Sequence, residues 1–369
     1  MSKNTHMEHI EDLIINEGYV GGVKAIRHLL DLRDGVENVT IKWDGAPAIF
    51  FGIDPEDRQF FVATKGVFNK TPKLYKSVSD ITADAKVSSD LAAKLSQAYN
   101  WLKKLNINEG VYQGDLMWTA DDVSESGNVH PNTIVYDIEE SLTHKFGIVV
   151  HTKYQGERLD LMQAKFIKKI PDWMSNVPGL WIRGAGYDGN PSFVLNGRIS
   201  QLWEVLDKIN PAYLDGLANS DLAQERLKCF VNTFVRSGDR KIKWNQFRAW
   251  NNAYYAGEEA KRKTDHGKAA VEAKRKEVDS TVIDFFDHDY NLLSEFYILM
   301  AEAKSELVNK LNVCYRGPTC YFLDKTGWLH GTNPEGYVSI AKHSAVKLID
   351  RYEFSKANFS TDLVKGWQK

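Results

Sequence analysis

The run Lys42-Trp43-Asp44-Gly45 places a lysine amine next to a carboxylate and a turn residue. Val39-Thr40-Ile41 before it and Ala48-Ile49-Phe50-Phe51 after it are typical of β-strands, and Gly45 and Pro47 are the turn residues between them. Lys42 is therefore predicted to lie at the end of a strand, where its amine could attack a nucleotide phosphate. This pattern indicates covalent nucleotidyl transfer. An exposed lysine beside a hairpin turn is the simpler interpretation of the motif taken alone.

Further residues of the right chemical types follow in order, each on a separate predicted strand. They are Lys65 in Thr64-Lys65-Gly66, Asp115 in Gly114-Asp115-Leu116, Phe146 in 146–150, Glu335 in Glu335-Gly336-Tyr337-Val338, and Lys347 in 344–349. Together with Lys42 they provide three cations, two carboxylates and an aromatic ring. A site that activates a nucleotide requires such a set, because positive charge must meet the phosphates.

These motifs resemble those of the covalent nucleotidyltransferases, which are the ATP-dependent DNA and RNA ligases and the mRNA capping enzymes. The run at Lys42 looks like their nucleophile motif, and Glu335-Gly336-Tyr337-Val338 is closest to RNA ligases of tailed phages. Residues 7–154 also resemble a family encoded by large tailed phages that carries no established activity. The resemblance implies an α+β fold with a ligase-like core of antiparallel β-sheets, flanking helices and a large, mainly helical insertion.

The resemblance also implies roles for the individual residues. Lys42 would attack ATP to give a lysyl-adenylate, which would activate a 5′-phosphate end of a nucleic acid, with RNA favoured over DNA. The other expected roles are loop shaping at the nucleotide by Asp44 and Gly45, phosphate binding by Lys65 and Lys347, base stacking by Phe146, and binding of Mg²⁺ (or Mn²⁺) or the ribose by Asp115 and Glu335. Burial and the cations Lys65 and Lys347 are expected to lower the pKa of Lys42 from about 10.4, since only a neutral amine attacks.

Several features depart from the motifs of these families. Asp115 replaces the usual glutamate, and alternate positions of the last motif offer one cation, Lys347, instead of two. The interval between Val150 and Glu335 is long, so an insertion is predicted. The residues after Lys347 are too few for the C-terminal barrel of DNA ligases and capping enzymes, which favours an RNA-ligase-like or divergent member.

The predicted organisation has four parts. An N-terminal helical segment covers 1–37, the first part of the core 38–155, the helical insertion 156–312, and the final core strands 313–369. Within the insertion, a basic stretch follows several aromatic residues and could clamp a phosphate backbone or form an ordinary solvated helix face. The basic residues are Lys261, Arg262, Lys263, Lys274, Arg275 and Lys276.

Composition restricts the function classes. The net charge of −2 over 369 residues predicts that any nucleic-acid contact comes from a local patch. Three cysteines without a Cys-x-x-Cys pair favour a reducing compartment, the host cytoplasm if the protein is phage-encoded. No membrane-spanning run, Walker-type loop or metal-binding histidine pair is present in the sequence, so neither a membrane partner nor an ordinary ATPase is expected.

Two alternatives to a polynucleotide ligase remain open. The AMP could be transferred to a protein or a small molecule, or the chain could be a catalytically inactive phage protein that binds nucleic acid with this fold. The pattern distinguishes neither RNA from DNA nor adenine from guanine, and it leaves the oligomeric state open.

Overall fold

The computed structural model describes residues 7–284, 287–341 and 344–366. The outer ends of the first and last predicted segments, residues 1–6 and 367–369, lie outside the described residues. Helices and sheets make up the described chain, and nearly all strand pairs are antiparallel. The predicted α+β class is therefore confirmed.

The strands follow the chain in two groups, separated by a helical region. They are β1 (Val39–Lys42), β2 (Ala48–Ile53), β3 (Phe60–Ala63), β4 (Val111–Thr119), β5 (Asn128–Val129), β6 (Ile134–Asp137), β7 (Phe146–Gln155), β8 (Gln163–Phe166), β9 (Leu180–Gly184), β10 (Thr319–Leu323), β11 (Leu329–Thr332), β12 (Gly336–Ala341) and β13 (Ser344–Leu348). The helices are α1 (Leu13–Asp34), α2 (Val78–Thr82), α3 (Ser89–Leu102), α4 (Asn196–Leu206), α5 (Pro211–Ala218), α6 (Asp221–Ser237), α7 (Phe247–Ala260), α8 (Asp265–Asp279), α9 (Asp287–Val313) and α10 (Lys356–Phe359).

A small sheet carries three of the predicted site motifs. Its strand order is β1-β12-β13, with Lys42 opposite Gly336. Thr40 lies opposite Val338, and Val338 lies opposite Lys347. Residues directly opposite each other in paired strands project to the same face. Lys42 and Lys347 therefore share one face of this sheet, although 305 positions separate them in the chain.

A larger sheet, in the order β3-β2-β4-β7-β8, carries the remaining core motifs. One face packs against α3 in an apolar cluster that includes Phe51, Leu95 and Ile148. Since side chains alternate along a strand, Asp115 on β4 and His151 on β7 project from the opposite face. The sheet thus has a structural face and a polar face.

The region predicted as a mainly helical insertion begins with two strands of this larger sheet. β8 pairs antiparallel with β7, and β9 pairs parallel with the other half of β7. The helices start at Asn196. β8 is a mostly exposed edge strand without an alternating apolar pattern, and β9 is short, which explains why the sequence pattern shows neither strand.

The segment after β9 joins the small sheet to the larger sheet. Ala185 accepts a hydrogen bond from the Ile41 amide at 2.7 Å, and Gly186 bridges Thr40. The Gly186 amide also donates to the Lys168 carbonyl at 2.9 Å. This double pairing fixes β1 beside the larger sheet, so that Lys42 ends near the polar face of β4.

The helical region packs into the same interior as the strands. α1, which ends just before Gly35, contributes Ile14, Ile26 and Leu29 to an apolar core that also contains Phe296 of α9 and Leu348 of β13. Burial of such side chains contributes about 1.5–3 kcal/mol each. Residues from both ends of the described chain therefore depend on the helical region for their packing.

A buried charge network ties three distant segments together. Arg351 donates to Asp12 at 3.2 Å and to the Tyr297 hydroxyl at 2.9 Å, and Lys304 pairs with Glu11. Each of the four charged side chains is at most 7% exposed. Two acids balance two bases, so the cost of burying the charges is offset within the network.

Candidate functional site

Lys42 ends β1 with its amine directed at a buried carboxylate. Its Nζ lies 2.6 Å from Oε2 of Glu335, the residue immediately before β12. The Glu335 side chain is 7% exposed, whereas that of Lys42 is 29% exposed. The ion pair therefore has a buried acid and a base that solvent or a substrate can reach.

This ion pair determines the protonation of both partners. Burial raises the pKa of Glu335 to about 7, in spite of the opposing effect of Lys42. Burial alone would lower the pKa of Lys42, but the attraction and hydrogen bond of Glu335, with weaker help from Asp115, raise it above its usual value. The expectation of a lowered pKa for Lys42 is thus wrong for the nucleotide-free protein, because a carboxylate at contact distance outweighs burial.

Lys347 provides the second cation on this face. Burial and the nearby Lys42 lower its pKa, while Glu335 opposes that shift. Within the described chain its ammonium group has no hydrogen-bond or ion-pair partner. The structure therefore brings Lys42, Glu335 and Lys347 together, as the sequence predicted, and leaves Lys347 able to bind an anion.

Asp44 faces the protein interior. Its carboxylate accepts hydrogen bonds from the Asn132 side chain at 2.6 Å and from the backbone amides of Thr133 at 2.7 Å and Ile134 at 2.8 Å. The residue is 4% exposed, and burial raises its pKa to about 6 against the effect of these bonds. Asp44 therefore anchors the loop behind Lys42 to the start of β6, and it is too enclosed for the expected place among the nucleotide-binding residues.

Gly45 allows the same loop to approach β4 closely. A Cβ atom on Gly45 would lie 2.7 Å from the Cβ of Asp115 and 2.8 Å from the Leu116 carbonyl oxygen. Only glycine fits this approach without a shift of the backbone. The motif glycine thus sets the separation between Lys42 and the strand that carries Asp115.

Asp115 lies on the polar face of the larger sheet, next to a histidine that belongs to none of the sequence motifs. Its carboxylate is 3.6 Å from Nε2 of His151, and both side chains are about one quarter exposed or less. Asp115 is also close enough to affect the pKa values of Lys42 and Glu335. The change from the buried Val150 to the partly exposed, polar His151 along β7 is the signal that could have identified the histidine.

Two expected site residues do not join this cluster. Lys65 is exposed in a single helical turn after β3, and in the described chain no hydrogen bond or ion pair connects it to Lys42, Lys347 or Glu335. Phe146 is fully buried in the apolar cluster against α3. Its ring has no face open to a base, which corrects the expected role as a stacking platform.

The basic stretch forms a separate surface in the turn between α7 and α8 and along α8, and its charge is partly neutralised. Lys261 and Arg262 pair with Glu258, Arg275 pairs with Glu272 and Asp279, and Lys276 pairs with Glu272. Among the described residues, the exposed side chains of Lys263 and Lys274 have no such partner.

The aromatic residues before this stretch do not extend the surface. Trp244, Phe247 and Tyr255 are buried in the core. Arg226 covers the ring of Tyr254, with the guanidinium carbon 3.5 Å from the ring centroid. The three buried rings therefore have no face on which a base could stack, and what remains is a modest patch of exposed lysines.

The donor atoms for a metal ion are oxygens of two carboxylates. In the described part of the chain, no group of three or more histidine, cysteine, aspartate or glutamate side chains is arranged to hold a metal. Asp115 and Glu335 offer the hard oxygen ligands that Mg²⁺ prefers, and this ion commonly takes its remaining ligands from water and substrate phosphates. The residues present therefore fit Mg²⁺ that arrives with a nucleotide.

The raised pKa of Glu335 predicts a dependence of stability on pH. Its pKa of about 7 exceeds the ordinary 4.5, so the folded state holds the proton more tightly than the unfolded chain. The resulting stabilisation is fully present below about pH 4.5 and is lost as the pH rises through about 7, at most about 3 kcal/mol. Urea denaturation at pH 5 and pH 8 should show a smaller loss for Glu335→Gln than for the wild type. Equal losses would contradict this origin.

Comparisons with known proteins identify the family of the chain, but they assign no activity to it. The model of a family of unknown function, DUF6267, matches residues 4–363. No curated protein and no solved structure matches the sequence. Among the described residues, every helix is too short or too polar to cross a membrane.

Proposed function

We propose that this chain, which belongs to the family of unknown function DUF6267, is an ATP-dependent nucleotidyltransferase that joins nucleic-acid ends, preferably RNA, through a lysyl-adenylate on Lys42. One observation carries the proposal. A lysine that ends a strand, a buried glutamate 2.6 Å away and a second, unpaired lysine meet on one face of a small sheet. The chain positions of these residues span almost the whole protein.

The first step requires a neutral amine. Lys42 Nζ attacks the α-phosphorus of ATP, the N–P bond forms, and the bond from phosphorus to the bridging oxygen breaks to release pyrophosphate. The proton of the resting ammonium passes to Glu335, whose pKa of about 7 suits a base near neutral pH. Lys347 then faces the phosphoryl oxygens and stabilises the charge that develops on them.

The metal ion supplies charge neutralisation at the phosphates when it is bound. Asp115 and Glu335 are the residues that would hold it. Glu335 would become available as a ligand only after it had passed the proton of Lys42 on to solvent. Once that proton has left, burial and Lys347 favour the neutral amine of Lys42.

The second half of the reaction transfers AMP to a 5′-phosphate end, and a 3′-hydroxyl of the other end displaces the AMP. The exposed lysines of α8 are the candidate contacts for the phosphate backbone. The same proposal assigns the protein to the cytoplasm, where ATP and nucleic-acid ends are present. If AMP goes instead to a protein or small molecule, the chain still forms the lysyl-adenylate but joins no nucleic acid.

A non-catalytic function is the second candidate, favoured by the raised pKa of Lys42 in its resting ion pair. In that case the protein binds RNA in a salt-dependent manner through α8 and without ATP.

Intact-mass analysis tests the proposal directly. The purified protein, treated with pyrophosphate to remove any bound nucleotide, is incubated with Mg²⁺ and either ATP or GTP. We expect the gain of one nucleotide monophosphate, with ATP preferred, and peptide fragmentation should locate it on Lys42. No adduct with either nucleotide, or an adduct on another lysine, would overturn the proposal.

A further inference from the structure

A short segment before the first helices adds a fourth strand-like row to the small sheet. The Lys347 amide donates to the Glu8 carbonyl at 2.9 Å, and His9 forms a parallel bridge with Lys347. Across the sheet, Thr40, Val338, Lys347 and His9 thus lie side by side. Bridged residues project to the same face, so the His9 imidazole shares the face that carries the ammonium groups of Lys42 and Lys347.

The His9 ring has an unsatisfied polar atom in a cationic environment. Its Nδ1 is buried and has no hydrogen-bond partner among the described residues. Burial, followed by the charges of Arg351, Lys304 and Lys347, holds the pKa of His9 well below its usual value. A buried nitrogen without a partner costs about 1–3 kcal/mol and is rare in folded proteins.

The cations around His9 differ in what they can bind. Arg351 and Lys304 are satisfied by Asp12 and Glu11 within the buried network. Lys347 has no such partner in the described chain. The positive charge of Lys347 therefore has no counter-charge, and Nδ1 of the neutral His9 ring has no hydrogen-bond acceptor. A phosphate oxygen satisfies both groups at once.

We infer that His9 and Lys347 form a polyphosphate subsite, which binds the β- and γ-phosphates of the nucleotide before they leave as pyrophosphate. The inference rests on the proposed function for the identity of the ligand, but the binding itself is independent of any adduct. His9 donates a hydrogen bond from its ring to a phosphate oxygen, and Lys347 supplies the charge. The subsite also explains the strand-like pairing of the N-terminal segment with β13, because that pairing aligns His9 with Lys347.

Calorimetric titration with inorganic tripolyphosphate tests the subsite without a nucleoside. We expect wild-type protein to bind it, and His9→Leu and Lys347→Ala each to weaken binding by about tenfold or more. His288→Leu, on the exposed start of α9, is the matched control and should bind as the wild type does. Wild-type affinity in His9→Leu, or no binding by the wild type, would overturn the inference.

Two conservative variants of His9 distinguish a lost hydrogen bond to phosphate from a general loss of stability. The amide nitrogen of asparagine can occupy the position of Nδ1, whereas that of glutamine reaches the position of Nε2. We therefore expect His9→Asn to retain more tripolyphosphate binding than His9→Gln at equal urea midpoints. Equal losses in the two variants would contradict a hydrogen bond from Nδ1.

Different experimental results would contradict the subsite and the proposed function. Tripolyphosphate binding that depends on His9, without any nucleotide adduct, would keep the subsite and reject the transferase. A nucleotide adduct that forms with an unchanged KM for ATP in His9→Leu would keep the transferase and reject the subsite. Sealing of a pre-adenylated end, in which no pyrophosphate takes part, should not respond to His9→Leu.

Discussion

Replacement of Lys42 by alanine is expected to abolish the nucleotide adduct, by more than about a thousandfold, and to leave the fold intact. The loss follows because the variant has no amine where β1 ends. The fold survives because Glu335, whose pKa is already raised to about 7, stays protonated once its partner is gone. A neutral acid is far cheaper to bury than a charged one. Intact mass after incubation with ATP, and the urea midpoint, measure the two effects.

Lys42→Arg separates nucleophilicity from charge. The guanidinium group keeps a positive charge next to Glu335, but it remains protonated and does not attack phosphorus. We expect it to match the stability of the wild type and to form no adduct. Lys24→Ala, an exposed change on α1, is the control that should form the adduct normally. An adduct on either Lys42 variant at the wild-type rate would rule out Lys42 as the nucleophile.

Asp44→Ala is expected to cost about 3 kcal/mol or more of the free energy of unfolding. The change removes the acceptor for two backbone amides, those of Thr133 and Ile134, and for the Asn132 side chain. Each donor left unsatisfied in the interior costs about 1–3 kcal/mol. Because the same bonds hold the loop behind Lys42, adduct formation should fall as well. Urea denaturation at pH 8, where Asp44 is ionised, gives the most direct measurement.

Two variants calibrate this result. Asp44→Asn keeps one oxygen acceptor in the same shape and should lose less stability than alanine. Asp57→Ala removes an exposed carboxylate that pairs with Lys76, and exposed pairs contribute about 0–1 kcal/mol. If Asp44→Ala lowers the urea midpoint no more than Asp57→Ala does, Asp44 does not anchor the loop.

The sequence predicted the site best where local pattern and chemistry agreed. The strand that ends at Lys42 follows from its apolar residues and the turn residues after it. The meeting of Lys42 with Glu335 and Lys347 could be expected only from the order of motifs, since no local pattern reports which distant strands pair. The register in which β12 aligns with β1 is a tertiary property.

The expected role of Phe146 and the expected placement of His9 were wrong for specific physical reasons. β4 carries two irregularities in its pairing with β7, and such irregularities change which side chains face the site. An aromatic at the start of β7, such as Phe146, therefore cannot be assigned to a face from sequence alone. The helical segment predicted over 1–37 included His9, whereas the structure places His9 in extended backbone before the first helices. Its bridge to Lys347 of β13 depends on the fold of the whole chain.

Because Glu11 pairs with Lys304 and Asp12 pairs with Arg351 in the interior, three distant segments of the chain must fold together. The beginning of the chain, the last long helix and the C-terminal segment each hold the counter-charge of another segment. A shortened protein that lacks one of them would keep an uncompensated ion in an apolar interior, at a cost of about 3–5 kcal/mol. The segments that carry Lys42, Glu335 and Lys347 thus cannot be isolated as a shorter folded fragment, and variation in any one of the three segments joined by the charge network is constrained by the other two.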